Sequence, residues 1–143
     1  MRVNRYVLDA NIWISYFISG RMHVIVDIVK KYEIDIFSCD ELLKEFRQVS
    51  QYPHLKKYNI NTKEALKIIR ELTIDFLLAY PLKNYIPTDK KDNYVIALAL
   101  QTNSGFVTIA DKDILNAKET LEKKFIRLKI ISKAEFEKKF PLE

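Results

Sequence analysis

The sequence predicts an α/β fold: a three-layer α/β/α sandwich around a mostly parallel sheet of about five strands. Two observations predict it. Short apolar runs alternate with longer helical patterns, and strands separated by helices pair in parallel through right-handed crossovers that cover both faces of a sheet. Punctuation is also sparse, with 2 Gly and 4 Pro in 143 residues. No linker, repeat or low-complexity tract divides the chain, so residues 1–143 read as a single domain.

Taken in order, the first strand is the apolar run from Val3 to Leu8, and the second contains Ile34, Ile36 and Phe37. A third runs from Phe106 to Ile109, opened by Gly105, and the alternation from Phe125 to Ile130 predicts a fourth. Ser38 with Glu41 and Ser132 with Glu135 have the spacing of a capping box, and Asn61 with Glu64 is its Asn variant. Helices are therefore expected to begin near 39, 62 and 133. A further helix over about 92 to 103 carries Val95, Ile96, Ala97, Leu98, Ala99 and Leu100, apolar on nearly every side, which predicts burial.

Composition narrows the function classes. With 48% apolar and 30% charged residues, the chain reads as compact and not disordered. The single Cys39 excludes an internal disulfide. No apolar run approaches the roughly 18 residues that span a bilayer. The opening MRVNRYVLDANIW has neither the apolar core nor the cleavage site of a signal peptide, so the expectation is a cytoplasmic protein with no membrane partner. One Cys and two His (His23, His54) cannot furnish a tetrahedral zinc site, so any metal would sit on oxygens, which points to Mg²⁺ or Mn²⁺. The net charge of +5 favours a polyanionic partner.

Carboxylates recur where a packed α/β protein gains little from them. Asp9 directly follows the strand Tyr6-Val7-Leu8, with Asn11 and Ser15 close behind, and Asp111 follows Phe106 to Ala110 in the same way, with Asp113 two residues on. Either acid alone reads as an N-cap. Glu45 lies four residues before Val49, so it flanks the apolar stripe Leu42, Leu43, Phe46, Val49. A glutamate with its stem along the core edge is the ordinary explanation. Asp92 opens the buried helix, where an acid complements the helix dipole. Together, five carboxylates and an Asn fall at the end of the sheet where open α/β folds bind ligands. Such a cluster is tolerated mainly around a hard cation. Of 19 acidic residues, setting these five aside leaves 14 against 24 basic ones, an acidic hole in a basic surface that suits metal-assisted chemistry on a phosphate backbone.

Four segments now carry a resemblance. VLDANIWIS at 7 to 15, DELLKEFRQV at 40 to 49, DKKDNYVIALAL at 89 to 100 and FVTIADKDIL at 106 to 115 resemble, in order and spacing, the motif blocks of PIN-domain ribonucleases. The likeness is strongest to the small prokaryotic VapC-type toxins of toxin–antitoxin pairs, and it extends to the terminal SKAEFEKKF. The resemblance implies that Asp9, Glu45, Asp92 and Asp111 are catalytic. It also implies that these four, with Asp113, hold one or two Mg²⁺ or Mn²⁺ ions for hydrolysis of RNA phosphodiesters, with Asn11 and Asn93 as polar supports. Where relatives carry a Gly and a hydroxyl residue before the fourth acid, this chain has Ala110 and Ile109, which leaves Thr108 and Ser15 as the candidate hydroxyls. Where many read Asp-Pro, it has Asp89-Lys90. The resemblance further implies a homodimer and an antitoxin partner, met through the helical region 21 to 80.

Lys44, Arg47, Lys56, Lys57, Lys63, Lys67 and Arg70, with Tyr52 and Tyr58 among them, form a candidate RNA-binding face, though each alone reads as solvated surface. Trp13, Tyr16, Phe17, Leu66, Ile69, Phe76 and Leu77 are expected in the core or an interface, and His23 and His54 outside the catalysis. Two other readings stand beside the nuclease: a non-catalytic PIN-like module that binds RNA or protein, and a phosphate acceptor at Asp9-Ala-Asn11. The second fits less well, because the phosphatase pattern wants a second Asp where Asn11 stands.

Overall fold

The computed structural model describes residues 4–85, 92–109 and 112–143, with the backbone alone for 112–115. The elements are β1 (Arg5–Leu8), α1 (Ala10–Ile18), α2 (Met22–Tyr32), β2 (Asp35–Ser38), α3 (Asp40–Ser50), a 3₁₀ helix (Pro53–Tyr58) and α4 (Thr62–Leu72). They continue with β3 (Ile74–Asp75), α5 (Asn93–Gln101), β4 (Gly105–Thr108), α6 (Lys112–Lys124), β5 (Ile130–Ser132) and α7 (Lys133–Lys139). The five strands form one parallel sheet in the order β3-β2-β1-β4-β5. Helices on both faces complete the three-layer α/β/α sandwich expected from the sequence.

The chain starts at the centre of the sheet, builds outward to β3, then returns to β4 beside β1. Strand order thus reverses between β1 and β4, where Val7 pairs with Phe106 and Leu8 with Val107. The carboxyl ends of these two strands frame the crevice that open α/β sheets leave for a ligand. Val7, Leu8, Phe106 and Val107 are fully buried, which is why both strands read as continuous apolar runs.

Two helix starts form as their sequences predict. Asn61 accepts the backbone N–H of Glu64, and Ser132 with Glu135 closes a reciprocal capping box. The third does not. Ser38 ends β2, its hydroxyl pairs with that of Thr73 at 2.8 Å, and Cys39 takes the N-cap of α3 without a side-chain bond. A hydroxyl at the end of α4 has outcompeted the local cap. The fourth predicted strand is also displaced. Phe125 closes α6 through its N–H to Leu121, Leu128 turns back onto Phe125, and the strand begins only at Ile130. The alternation at 125–129 therefore belongs to a turn that leaves Ile126 83% exposed. The two-residue edge strand β3 carries no pattern long enough to predict.

Trp13, Tyr16, Leu66 and Ile69 are buried as expected, Phe76 is partly buried, and Leu77 is exposed. On the other side of the sheet centre, the Tyr6 ring meets Phe136 and Phe140 edge-on, at centroid distances of 5.2 and 5.6 Å. Gly105 lies against that ring: a Cβ there would stand 2.8 Å from Tyr6 Cε1. Among the described residues, no single helix is long and apolar enough to cross a membrane.

Candidate active site

Asp9 sits at the N-cap of α1, and its backbone oxygen accepts the N–H groups of Ile12 and Trp13. Its side chain makes no cap hydrogen bond, so the ordinary explanation for an acid at this position leaves the carboxylate unaccounted for. That carboxylate is 6% exposed and accepts the Thr108 hydroxyl at 3.2 Å, across from β1 to the end of β4. Thr108 is thus the hydroxyl that reaches the first acid, whereas the Ser15 hydroxyl donates to the Ile12 carbonyl one turn back along α1.

Glu45, half-buried on α3, is the second acid brought to this point. Its charge raises the pKa of Asp9, and its Oε2 accepts the hydroxyl of Tyr94 from α5. Burial first, and the Glu45 carboxylate second, push Asp9 from an ordinary 3.8 up to about 6. The Thr108 hydroxyl and the nearby amides of Ala10 and Asn11 offset part of that rise. Tyr94 shows the same field: burial, Glu45 and Asp9 all hold its hydroxyl protonated far above the usual phenol range. Two carboxylates share a partly dry site with two neutral donors, an arrangement that favours either a proton or a cation between them.

Asp92 occupies the N-cap position of α5, two residues before Tyr94. Asn93 is buried and donates from Nδ2 to Asn84 Oδ1 at 2.9 Å, tying the start of α5 to the preceding segment. Asn11 is exposed on the first turn of α1. Asp111, Ala110 and Asp89-Lys90 lie outside the described residues, and of Asp113 only the helical backbone is described. Among the described residues, no three His, Cys, Asp or Glu side chains converge as a metal-holding group. The Asp9–Glu45 pair is therefore the observed nucleus of the site.

Sequence reasoning missed Tyr94 and Asn84. Tyr94 carries a usable signal: it is the one polar side chain in the first two turns of α5 after Asn93, inside an otherwise apolar run. Asn84 carries none, since its role depends on a tertiary contact with Asn93 that no local pattern encodes.

The family model of the PIN domain matches residues 5–113, from the start of β1 to the first turn of α6. The chain belongs to the PIN-domain family. No curated protein and no solved structure gives a match. PIN domains are generally nucleases that act on nucleic acids and use divalent metals. In this PIN domain the matched stretch contains all five acids singled out from the sequence. The pair at the strand-order reversal supplies only oxygen donors, the chemistry that hard Mg²⁺ or Mn²⁺ requires.

Proposed function

We propose that this PIN domain is a divalent-metal-dependent endoribonuclease, the toxin of a toxin–antitoxin pair. The observation that carries the reading is the buried Asp9 carboxylate, raised to about 6 beside Glu45 at the strand-order reversal. Such a pair is costly unless a cation neutralises it, and the donor set fits Mg²⁺ or Mn²⁺.

Asp9, Glu45, Asp92 and Asp111 are the proposed catalytic residues, and Asp113 joins them as a metal ligand. A bound divalent ion supplies activation of water and stabilisation of charge on the phosphodiester. The chain's own groups do the positioning. Thr108 holds Asp9 by one carboxylate oxygen and Tyr94 holds Glu45 by one of its own, which fixes the orientation of both side chains. Asn93 and Asn84 brace the first turn of α5 behind Tyr94, and Asn11 and Ser15 offer polar groups along α1. Arg47, Lys63 and Arg70 line a groove of about 260 Å³ between α3 and α4, a cationic track for a phosphate backbone.

The proposed partners are an RNA substrate, a cognate antitoxin and a second copy of the chain, in the cytoplasm, with residues 1–143 acting as one domain. Exposed Ile74, Leu77 and Tyr80 beside the β3 edge favour a protein contact there. The test is incubation with a mixed cellular RNA pool and Mg²⁺ or Mn²⁺, with EDTA and Asp9→Asn in parallel. Fragments that require the metal and disappear in both controls are expected. RNA binding without cleavage under either metal would instead identify a non-catalytic binding module.

A further inference from the structure

A second concave feature begins where the acid pair ends. It is a groove of about 230 Å³ between α1, the end of α3 and the 3₁₀ helix, and its walls include Asn11, Ser15, Val49, Tyr52, His54 and Ile109. Both walls grow out of the acid site. On α1, Asn11 follows Asp9 by two residues, and Ser15 lies one turn further on the same face. On α3, Val49 lies one turn beyond Glu45, and Tyr52 follows just past the helix end. Ile109 closes the near side, directly after the Thr108 that holds Asp9.

The surface of this groove is that of a stacking platform. Tyr52 is 47% exposed, and its ring stands 6.0 Å from that of His54, tilted by 45°. Ile109 is likewise half exposed, while Val49 is partly buried. The Ser15 hydroxyl spends its proton on the Ile12 carbonyl at 2.8 Å, which leaves its oxygen as an acceptor. The exposed Asn11 amide offers both a donor and an acceptor. No carboxylate lines the groove among the described residues, and Lys56 and Lys57 stand exposed on the same 3₁₀ helix as His54. Aromatic and aliphatic faces, a few edge-reading polar groups and flanking cations match an unpaired base and its phosphates.

We infer that this groove is the subsite for an unpaired nucleobase adjoining the phosphodiester held at Asp9 and Glu45. The inference rests on the nuclease reading for the position of the scissile phosphate. The base stacks on Tyr52 over the aliphatic floor with the tilted His54 ring beside it, its edge N–H donates to Ser15, and Asn11 meets it at the groove mouth. A duplex keeps its bases stacked inside, so the subsite selects single-stranded RNA.

The test compares wild type, Tyr52→Ala, Tyr52→Phe and His54→Ala on a single-stranded RNA oligonucleotide and on a series with one abasic position moved along it. Tyr52 is exposed, and unchanged melting temperatures confirm that the variants fold. Tyr52→Ala is expected to raise KM about 5- to 150-fold with kcat little changed, the range for losing one base–aromatic stack. His54→Ala should lose less, and Tyr52→Phe should remain within about twofold of wild type because the ring face is kept. The Tyr52→Ala penalty should vanish at one abasic position, where the base is already missing. An unchanged KM for Tyr52→Ala, or a penalty that persists at every abasic position, overturns the subsite and leaves the groove to a protein partner. If wild type binds the oligonucleotide and never cuts it, the nuclease reading fails, and fluorescence anisotropy on the same series decides the subsite. The same Tyr52 and abasic pattern in binding supports it, and its absence overturns it.

Discussion

Asp9→Asn is expected to stabilise the metal-free protein at neutral pH, the opposite of the usual result for a buried side chain with a hydrogen-bond partner. The folded carboxyl titrates near 6 and the unfolded one near 3.8, so the folded state binds the proton more tightly. The stability this contributes is fully present below about pH 3.8 and is lost as pH rises through about 6. At roughly 1.36 kcal/mol per pH unit, the difference amounts to roughly 3 kcal/mol of destabilisation at neutral pH. Asp9 is almost wholly buried, so solvent screening removes little of this. Part of it is repulsion shared with Glu45, and a buried amide brings its own desolvation cost. The net gain for Asn is therefore about 1–3 kcal/mol at pH 7.5. Urea unfolding of both proteins in EDTA from pH 7.5 to pH 4 measures it. The gap between them should close towards zero as the pH falls through 6 to 4, and adding Mg²⁺ should close it at pH 7.5. An Asn variant less stable than wild type at pH 7.5, or a gap independent of pH, would show that burial and Glu45 together do not destabilise the Asp9 carboxylate.

Two further outcomes follow from neighbouring contacts. Tyr94→Phe removes the donor that orients Glu45 while keeping the ring in place. The Mg²⁺ concentration for half-maximal cleavage should rise about tenfold, as for other groups that orient metal ligands, and an unchanged Mg²⁺ titration would remove Tyr94 from the site. Gly105→Ala forces a methyl to 2.8 Å from a Tyr6 ring wedged between Phe136 and Phe140. It should cost about 1–3 kcal/mol in urea unfolding, and a cost near zero would show that the β4–Tyr6 contact has room.

How much was legible in the sequence follows the range of the interactions involved. β1, β4 and α5 announce themselves because each is buried on nearly all sides and so reads as an apolar run. The caps at Asn61 and Ser132 are legible because cap and partner lie three residues apart. The same logic misleads at Ser38, where a hydroxyl 35 residues away outcompetes the local partner. It misleads again at 125–129, where a turn shares the alternation of a strand. β3 exists because the edge of β2 accepts it, not through any pattern of its own.

The sequence by itself determined the alternation of strands and helices, the acids at strand ends and the oxygen-only donor chemistry. Those properties reside in residue type and in spacing of a few positions. Only the tertiary structure decided that Glu45 stands across from Asp9, that Thr108 reaches Asp9 from 99 residues away, and that Tyr94 reaches Glu45 from 49. It also decided that Asp9 titrates near 6. The desolvation that causes this is set by what several distant elements pack around the carboxylate, and no local pattern encodes how tightly they close.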